Sequence, residues 1–209
     1  MAQESNPRFE FRIFGINLEK LTETLDKLTP RLQTRKMNSI YLLTAGNTKN
    51  NIKIRDGIMD IKVLEQETEG LEQWNPFLVG EFPLKSDVIK TVVFPALGIV
   101  CPVMERDQYT LDQFLKEIIS IDPDLSVAFV KKVRHGYMLN NCITEIAEVL
   151  VNGALINTLC IESEDPKQVL AAKKMLGIRS DTENVNYPLA LKRIMGLASL
   201  SKNYWESND

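Results

Sequence analysis

The residues able to do chemistry in this chain are charged and recur at alternate positions. Lys53 and Arg55 are one residue apart, and so are Lys132 and Arg134. Lys62 follows the first pair across Asp56-Gly57. Glu10 and Arg12 share the stretch RFEFRIF, Glu162 and Glu164 stand in IESED, and Glu145 precedes them in CITEIAEVLV. Successive side chains of a strand point to opposite faces, so each such pair shares a face. Like charges side by side repel unless something lies between them. A polyanion among the cations and a divalent metal on the carboxylates would relieve both repulsions. Phosphoryl transfer needs those two elements: cations to hold phosphate oxygens, and a carboxylate-held metal to polarise the terminal group. Hard cations prefer oxygen ligands, so Glu-x-Glu suits Mg²⁺ or Mn²⁺ better than zinc. The bland alternative is an antiparallel sheet with one buried face and one charged, wet face.

The elements that must position these groups are mostly strands. Asn51 to Lys62 reads as a hairpin, with Ile52, Ile54, Ile61 and the following Val63 on the face opposite the charges and Asp56-Gly57 at the turn. Arg8 to Phe14 alternates in the same way, and Ser39 to Ala45 reads as a further strand. Asn17 is a suitable cap for a helix bearing Leu18, Leu21, Leu25 and Leu28, with Pro30 ending it. From Glu65 to Pro102 the pattern weakens, and short strands with ordered loops are expected. Thr110 caps a helix through about Ser120. Ser126 to Arg134 is a strand, and His135-Gly136 is expected to begin a turn or bend. Asn152-Gly153 joins strands 142–151 and 154–164. Asp165, Pro166 and Gly177 bound a helix, and a last short helix starts near Pro188. The tail from Ser201 is expected to be mobile.

The 209 residues, net charge of −3 and 44% hydrophobic content suit one large domain over 1–209, with its motifs in 8–164 and a helical extension over 165–209. No apolar run approaches the ~18 residues of a membrane helix, and the N-terminus has no apolar signal region. The three cysteines, Cys101, Cys142 and Cys160, form no CxxC pair, so structural zinc and a disulfide framework are not expected. These features indicate a cytoplasmic protein. The mildly acidic balance argues against broad nucleic-acid binding, and a homodimer is left open.

In the order of its motifs the chain resembles the CYTH superfamily, the triphosphate tunnel metalloenzymes. These include class IV adenylate cyclases, thiamine triphosphatases and inorganic triphosphatases. The resemblance runs from about Arg8 to Glu164. It comprises the acidic-then-basic first strand, Lys-x-Arg before a turn and Lys after it, a second Lys-x-Arg, a Glu-bearing strand, Asn-Gly and Glu-x-Glu. It implies an α+β fold: an eight-stranded antiparallel β-barrel, or tunnel, with a charged interior and helices packed outside. It implies that Lys53, Arg55, Lys62, Lys132 and Arg134 bind a triphosphate chain, with Arg12 in place of the family's N-terminal lysine. It implies that Glu10, Glu162 and Glu164 hold Mg²⁺ or Mn²⁺, and that Glu145 lies in the same lining, where it is the candidate to orient a water. Two positions depart from the family pattern. Arg8 stands where the first glutamate of Glu-x-Glu-x-Lys is expected, and Tyr41 is followed by Leu42-Leu43-Thr44 with no aspartate.

The function expected from the resemblance is metal-dependent hydrolysis of inorganic tripolyphosphate or an organic triphosphate. The alternatives are an adenylate cyclase acting on ATP, or a polyphosphate- or nucleotide-binding module without turnover. His135 lies at the opposite parity to Arg134 and is expected at the surface. Tyr137 reads as a core or rim aromatic, and Trp74 and Trp205 as packing or partner residues. The segments 64–110 and 184–197 receive no task from the motifs.

Overall fold

The computed structural model describes residues 7–200. Eight strands form a closed antiparallel barrel: β1 (Phe9–Gly15), β2 (Gln33–Leu43), β3 (Asn50–Arg55), β4 (Ile58–Thr68), β5 (Leu71–Glu81), β8 (Ser126–Leu139), β9 (Cys142–Val151) and β10 (Ala154–Ser163). Their order around the barrel is β1-β10-β9-β8-β2-β3-β4-β5, with β5 returning to β1. A two-residue ribbon, β6 (Leu84–Lys85) with β7 (Gln108–Tyr109), lies apart from it. Five helices pack outside: α1 (Glu19–Leu28), α2 (86–97), α3 (111–119), α4 (Pro166–Met175) and α5 (Tyr187–Ile194). The expected α+β barrel with external helices is the observed fold. Among the described residues no helix is long and apolar enough to cross a membrane.

Turn chemistry sets the register. Asp56-Gly57 and Asn152-Gly153 both carry positive φ at the two central positions, the geometry that matches strand twist in a tight hairpin. The expected bend at His135-Gly136 does not occur. β8 runs on to Leu139, and the reversal falls at Asn140-Asn141, with φ of 50° and 58°. Asn tolerates this left-handed region far better than branched residues do. Gly136 instead lies mid-strand opposite Glu145. Strand β2 also begins earlier than its apolar run, at Gln33, because Gln33 to Asn38 pair with β8 despite their polarity.

The weakly patterned stretch is more regular than expected. β4 and β5 are long strands, joined at Glu69-Gly70. Pro76 is absorbed at a register shift, where Ile61 faces Leu78 and Lys62 faces Pro76. Helix α2 was hidden by Pro95 within VVFPALG. Its turn over Ile89–Val93 is widened ahead of the proline, and Gly98 in the left-handed region ends it by donating to Phe94 O and Pro95 O. Helix α1 starts after Leu18, not Asn17, because Leu18 is drawn into the core. The Thr110 cap is present as a full capping box with Gln113. Asp165 and Asn186 cap α4 and α5. The tail expectation and Trp205 lie outside the described residues.

The barrel is inverted relative to a sheet with a wet outer face. Over β3 and β4, and over β1 and β10, its outward side chains are apolar and covered by helices. Ile52, Ile54, Met59 and Ile61 pack under α2 and α3 with Ile89, Val93, Phe94, Leu97 and Phe114. Phe11, Leu159 and Ile161 pack under α1 and α4 with Leu25, Val169 and Ala172. Full burial of each such side chain contributes roughly 1.5–3 kcal/mol. A third cluster lies inside one end of the barrel, where Tyr41, Ala128, Val130, Ala147 and Val149 meet Tyr187 and Leu191 of α5. The interior therefore has an apolar, filled end and a charged remainder. Because Leu97 is fully buried against the outer face of β3 and β4, Leu97→Ala is expected to lower stability by ~2–5 kcal/mol. Urea denaturation checks this; a loss under about 1 kcal/mol would mean that α2 is not docked.

Candidate functional site

Inward parity brings the charged residues together around a cavity of about 510 Å³. Its lining includes Arg8, Glu10 and Arg12 from the first strand, and Asn51, Lys53, Arg55 and Lys62 from the central hairpin. It also includes Lys132, Arg134, Glu145 and Glu162. All six expected anion-binding cations are in this lining, as are Glu10, Glu145 and Glu162. Glu164 is not: it lies just past the end of β10 and is exposed. His135 lies on the outer side, with Nδ1 2.9 Å from Thr34 Oγ1 and 3.3 Å from Arg31. Tyr137 lines the cavity and donates to Asp26 at 2.8 Å.

Glu145 is the centre of the charge cluster. Its carboxylate meets Arg12 at 3.4 Å, Lys132 at 2.9 Å and Arg134 at 2.5 Å. Burial alone would raise its pKa, but the three cations outweigh burial and bring it down to about 2. Such a carboxylate is a poor proton acceptor and a strong counter-ion. Burial lowers the pKa of Lys132, with Glu145 opposing the shift and Arg12 adding to it. Lys53 behaves alike. Burial lowers its pKa, Asp60 at 2.8 Å opposes this, and Lys62 and Arg55 press it further down. Both lysines are short of negative charge. Eight cations and three carboxylates line the cavity, so an excess of positive charge faces it even after Asp60 is set against Lys53.

A second cluster holds Glu10, Cys160 and Glu162, whose ligand atoms all lie within 4.8 Å of one another. In Glu162, burial and then the Glu10 charge raise the pKa, with Arg12 opposing the shift. Cys160 is held as a thiol by burial, and its Sγ lies 3.4 Å from Glu162 Oε1. Two carboxylates suit Mg²⁺ or Mn²⁺, which keep waters and take further oxygens from substrate phosphates. The donor set therefore fits such an ion, with the thiol a weak contributor. Arginines border it closely: Arg12 Nε is 2.7 Å from Glu10, and Arg8 is 3.8 Å from Glu162.

Several lining residues were not anticipated: Arg35, Met37, Trp74, Asn186 and Tyr187. The parity of Arg35 with Tyr41 was a usable signal had β2 been extended backwards. Trp74 donates to Glu72, which also accepts from Asn186 at 2.8 Å. Nothing in local periodicity marks Asn186 or Tyr187, because a tertiary insertion places them.

The barrel with this lining is a CYTH-like fold. No protein-family model matches the chain, and no curated protein matches it by sequence. Among solved structures it is similar to a Hippeastrum protein classed as an adenylyl cyclase and described as revealing a dominant triphosphatase activity. The TM-score is 0.51 at 16% identity, over 93% of this chain and 98% of that one. A conserved hypothetical protein from Pyrococcus furiosus aligns with a TM-score of 0.48 at 19% identity, over 88% of this chain and 99% of that one. The first of these likenesses shows the fold.

The cluster around Glu145 carries a pH signature. Its folded pKa lies below the ordinary carboxylate value, so the stabilisation is present above about 4.5 and lost as pH falls toward about 2. Glu145→Gln is expected to be less stable at neutral pH by on the order of 3 kcal/mol, with the gap narrowing across that window. Denaturation of both proteins at stepped pH checks this; a gap that does not change with pH contradicts the ion cluster.

Proposed function

We propose that the chain is a metal-dependent hydrolase of a triphosphate-containing substrate held inside the barrel. The observation that carries this reading is the unbalanced positive lining, with Lys53 and Lys132 depressed by burial and poised to gain from an anion. Arg12, Lys53, Arg55, Lys62, Lys132 and Arg134 bind the phosphate chain. Arginine offers bidentate contacts to phosphate, and lysine a point charge. Glu10 and Glu162 would hold Mg²⁺ or Mn²⁺, which when bound would neutralise phosphate oxygens and polarise the terminal group. Glu145 positions Arg12, Lys132 and Arg134, and its low pKa suits that task better than proton abstraction. Glu164 receives no role here. The solved relative with a triphosphatase activity supports the reaction class through fold alone. The free cysteines are consistent with a cytoplasmic location.

A second reading, binding without turnover, draws support from one feature. Arg8 stands where the resemblance expects a carboxylate, and Arg12 already pairs with Glu10. Phosphate release from tripolyphosphate and from ATP, with Mg²⁺, Mn²⁺ or chelator, separates the readings. Hydrolysis should require metal and fall by roughly 100-fold or more in Glu10→Ala/Glu162→Ala. Binding without release selects the module, and pyrophosphate with cyclic AMP selects a cyclase. Lys53→Ala and Arg134→Ala should each weaken tripolyphosphate binding roughly tenfold, as expected for a lost charged hydrogen bond. Unchanged affinity in both would remove the barrel as the anion site.

A further inference from the structure

Residues 184–187 lie against β1 where its pairing with β5 ends. β5 pairs with β1 only at Phe9 and Glu10. Beyond them, the open edge of β1 is covered by the C-terminal segment. Val185 N donates to Arg12 O at 2.8 Å, Arg12 N donates to Asn184 Oδ1 at 2.8 Å, and Asn184 Nδ2 donates to Glu10 O at 3.0 Å. This clasp delivers Tyr187, only 7% exposed, to the inner end of the cavity.

Packing accounts for the ring. It stacks on Tyr41 at 5.5 Å and 16°, and meets Phe14 edge-on at 5.1 Å. Arg12 Cζ and Lys132 Nζ lie 4.7 and 5.2 Å from its centroid, within cation–π range. Packing does not account for the hydroxyl. It is buried and has no hydrogen-bond partner among the described residues. A buried O–H left unpaired is costly, and native structures seldom keep one without a reason. The charges it senses belong to Arg12, Tyr41, Glu145 and Cys160, all interior. Glu145 is already engaged by three cations. Burial first, with Tyr41 and Glu145 adding to it, keeps the phenol protonated, so it remains a donor.

We propose that the Tyr187 hydroxyl is an anion contact, donating to a phosphate oxygen of the ligand that Arg12 and Lys132 also hold. Tyr187 is thus a ligand-binding residue supplied by the C-terminal segment. The inference rests on the triphosphate reading above.

Tyr187→Phe isolates the claim, because it keeps the ring, its stack and both cation contacts. Inorganic tripolyphosphate is titrated calorimetrically into wild type and variant, in Mg²⁺ and in chelator. Melting is followed with and without tripolyphosphate. Without ligand the variant should melt no lower than wild type, since an unpaired buried hydroxyl has been removed. Its affinity should fall roughly tenfold, and its ligand-induced rise in melting temperature should shrink in step. Equal affinity in the two proteins overturns this inference and leaves the triphosphate reading standing, whatever the melting temperatures do. Absence of binding by wild type overturns both.

Discussion

Everything inside the barrel depends on one carboxylate meeting three cations. Glu145 lies among Arg12, Lys132 and Arg134, and the four side chains are largely withdrawn from water. Removing charges from water costs several kcal/mol per ion, and mutual attraction repays that only when geometry is good. Here the attraction is incomplete: Glu145 serves three cations, of which Arg12 also pairs with Glu10 at 2.7 Å. Burial first, and then repulsion by Arg12 and Arg134, lower the pKa of Lys132. An anion in the cavity would supply the missing counterpart. An interior of this charge leaves most of the apolar packing to be made elsewhere.

That requirement explains where the helices lie. A barrel whose inner face is charged has its apolar side chains on the outside, where water would meet them. Helices α2 and α3 cover β3 and β4, and α1 and α4 cover β1 and β10, each with its own apolar cluster. Only at the filled end does the interior become apolar, and there α5 supplies Tyr187 and Leu191 to complete it. Lys192 fixes α5 to the β2–β3 loop by donating to Ala45 O and Asn47 O at 3.2 and 2.7 Å. The same helix thus finishes the packing and borders the charged cavity.

Much of this was legible because strand parity is a local property. The alternation in NIKIRDGIMDIK and RFEFRIF needs no tertiary knowledge to separate charged from apolar faces. The paired Lys-x-Arg motifs and Glu145 fell on the shared inner face as their spacing required. Punctuation was harder. Pro76 and Pro95 read as breakers, yet a bulge absorbs one and a widened helical turn the other. His135-Gly136 read as a bend, but the neighbouring Asn140-Asn141 accepted the left-handed geometry instead. The segment 184–187 could not be read at all. Its place is set by an open edge on a strand some 170 residues earlier, with Asn184 bonding Glu10 across 174 positions.

The division of labour between outer clusters and inner charges also bears on Arg8. In a tightly packed apolar core, exchanging a carboxylate for an arginine would disrupt the fold through desolvation and volume. In this cavity an arginine where the resemblance expects a carboxylate would alter the balance of charge, while Phe9 and Phe11 hold the strand from its outer face. Arg8 now faces Glu162 at 3.8 Å, and Arg12 faces Glu10 at 2.7 Å. A metal ion approaching those carboxylates meets two neighbouring cations, whereas a phosphate chain meets none of that opposition. The lining thus favours the anion over the isolated metal. A metal held by Glu10 and Glu162 would be best supported if phosphate oxygens shared the site and drew the guanidinium groups toward themselves.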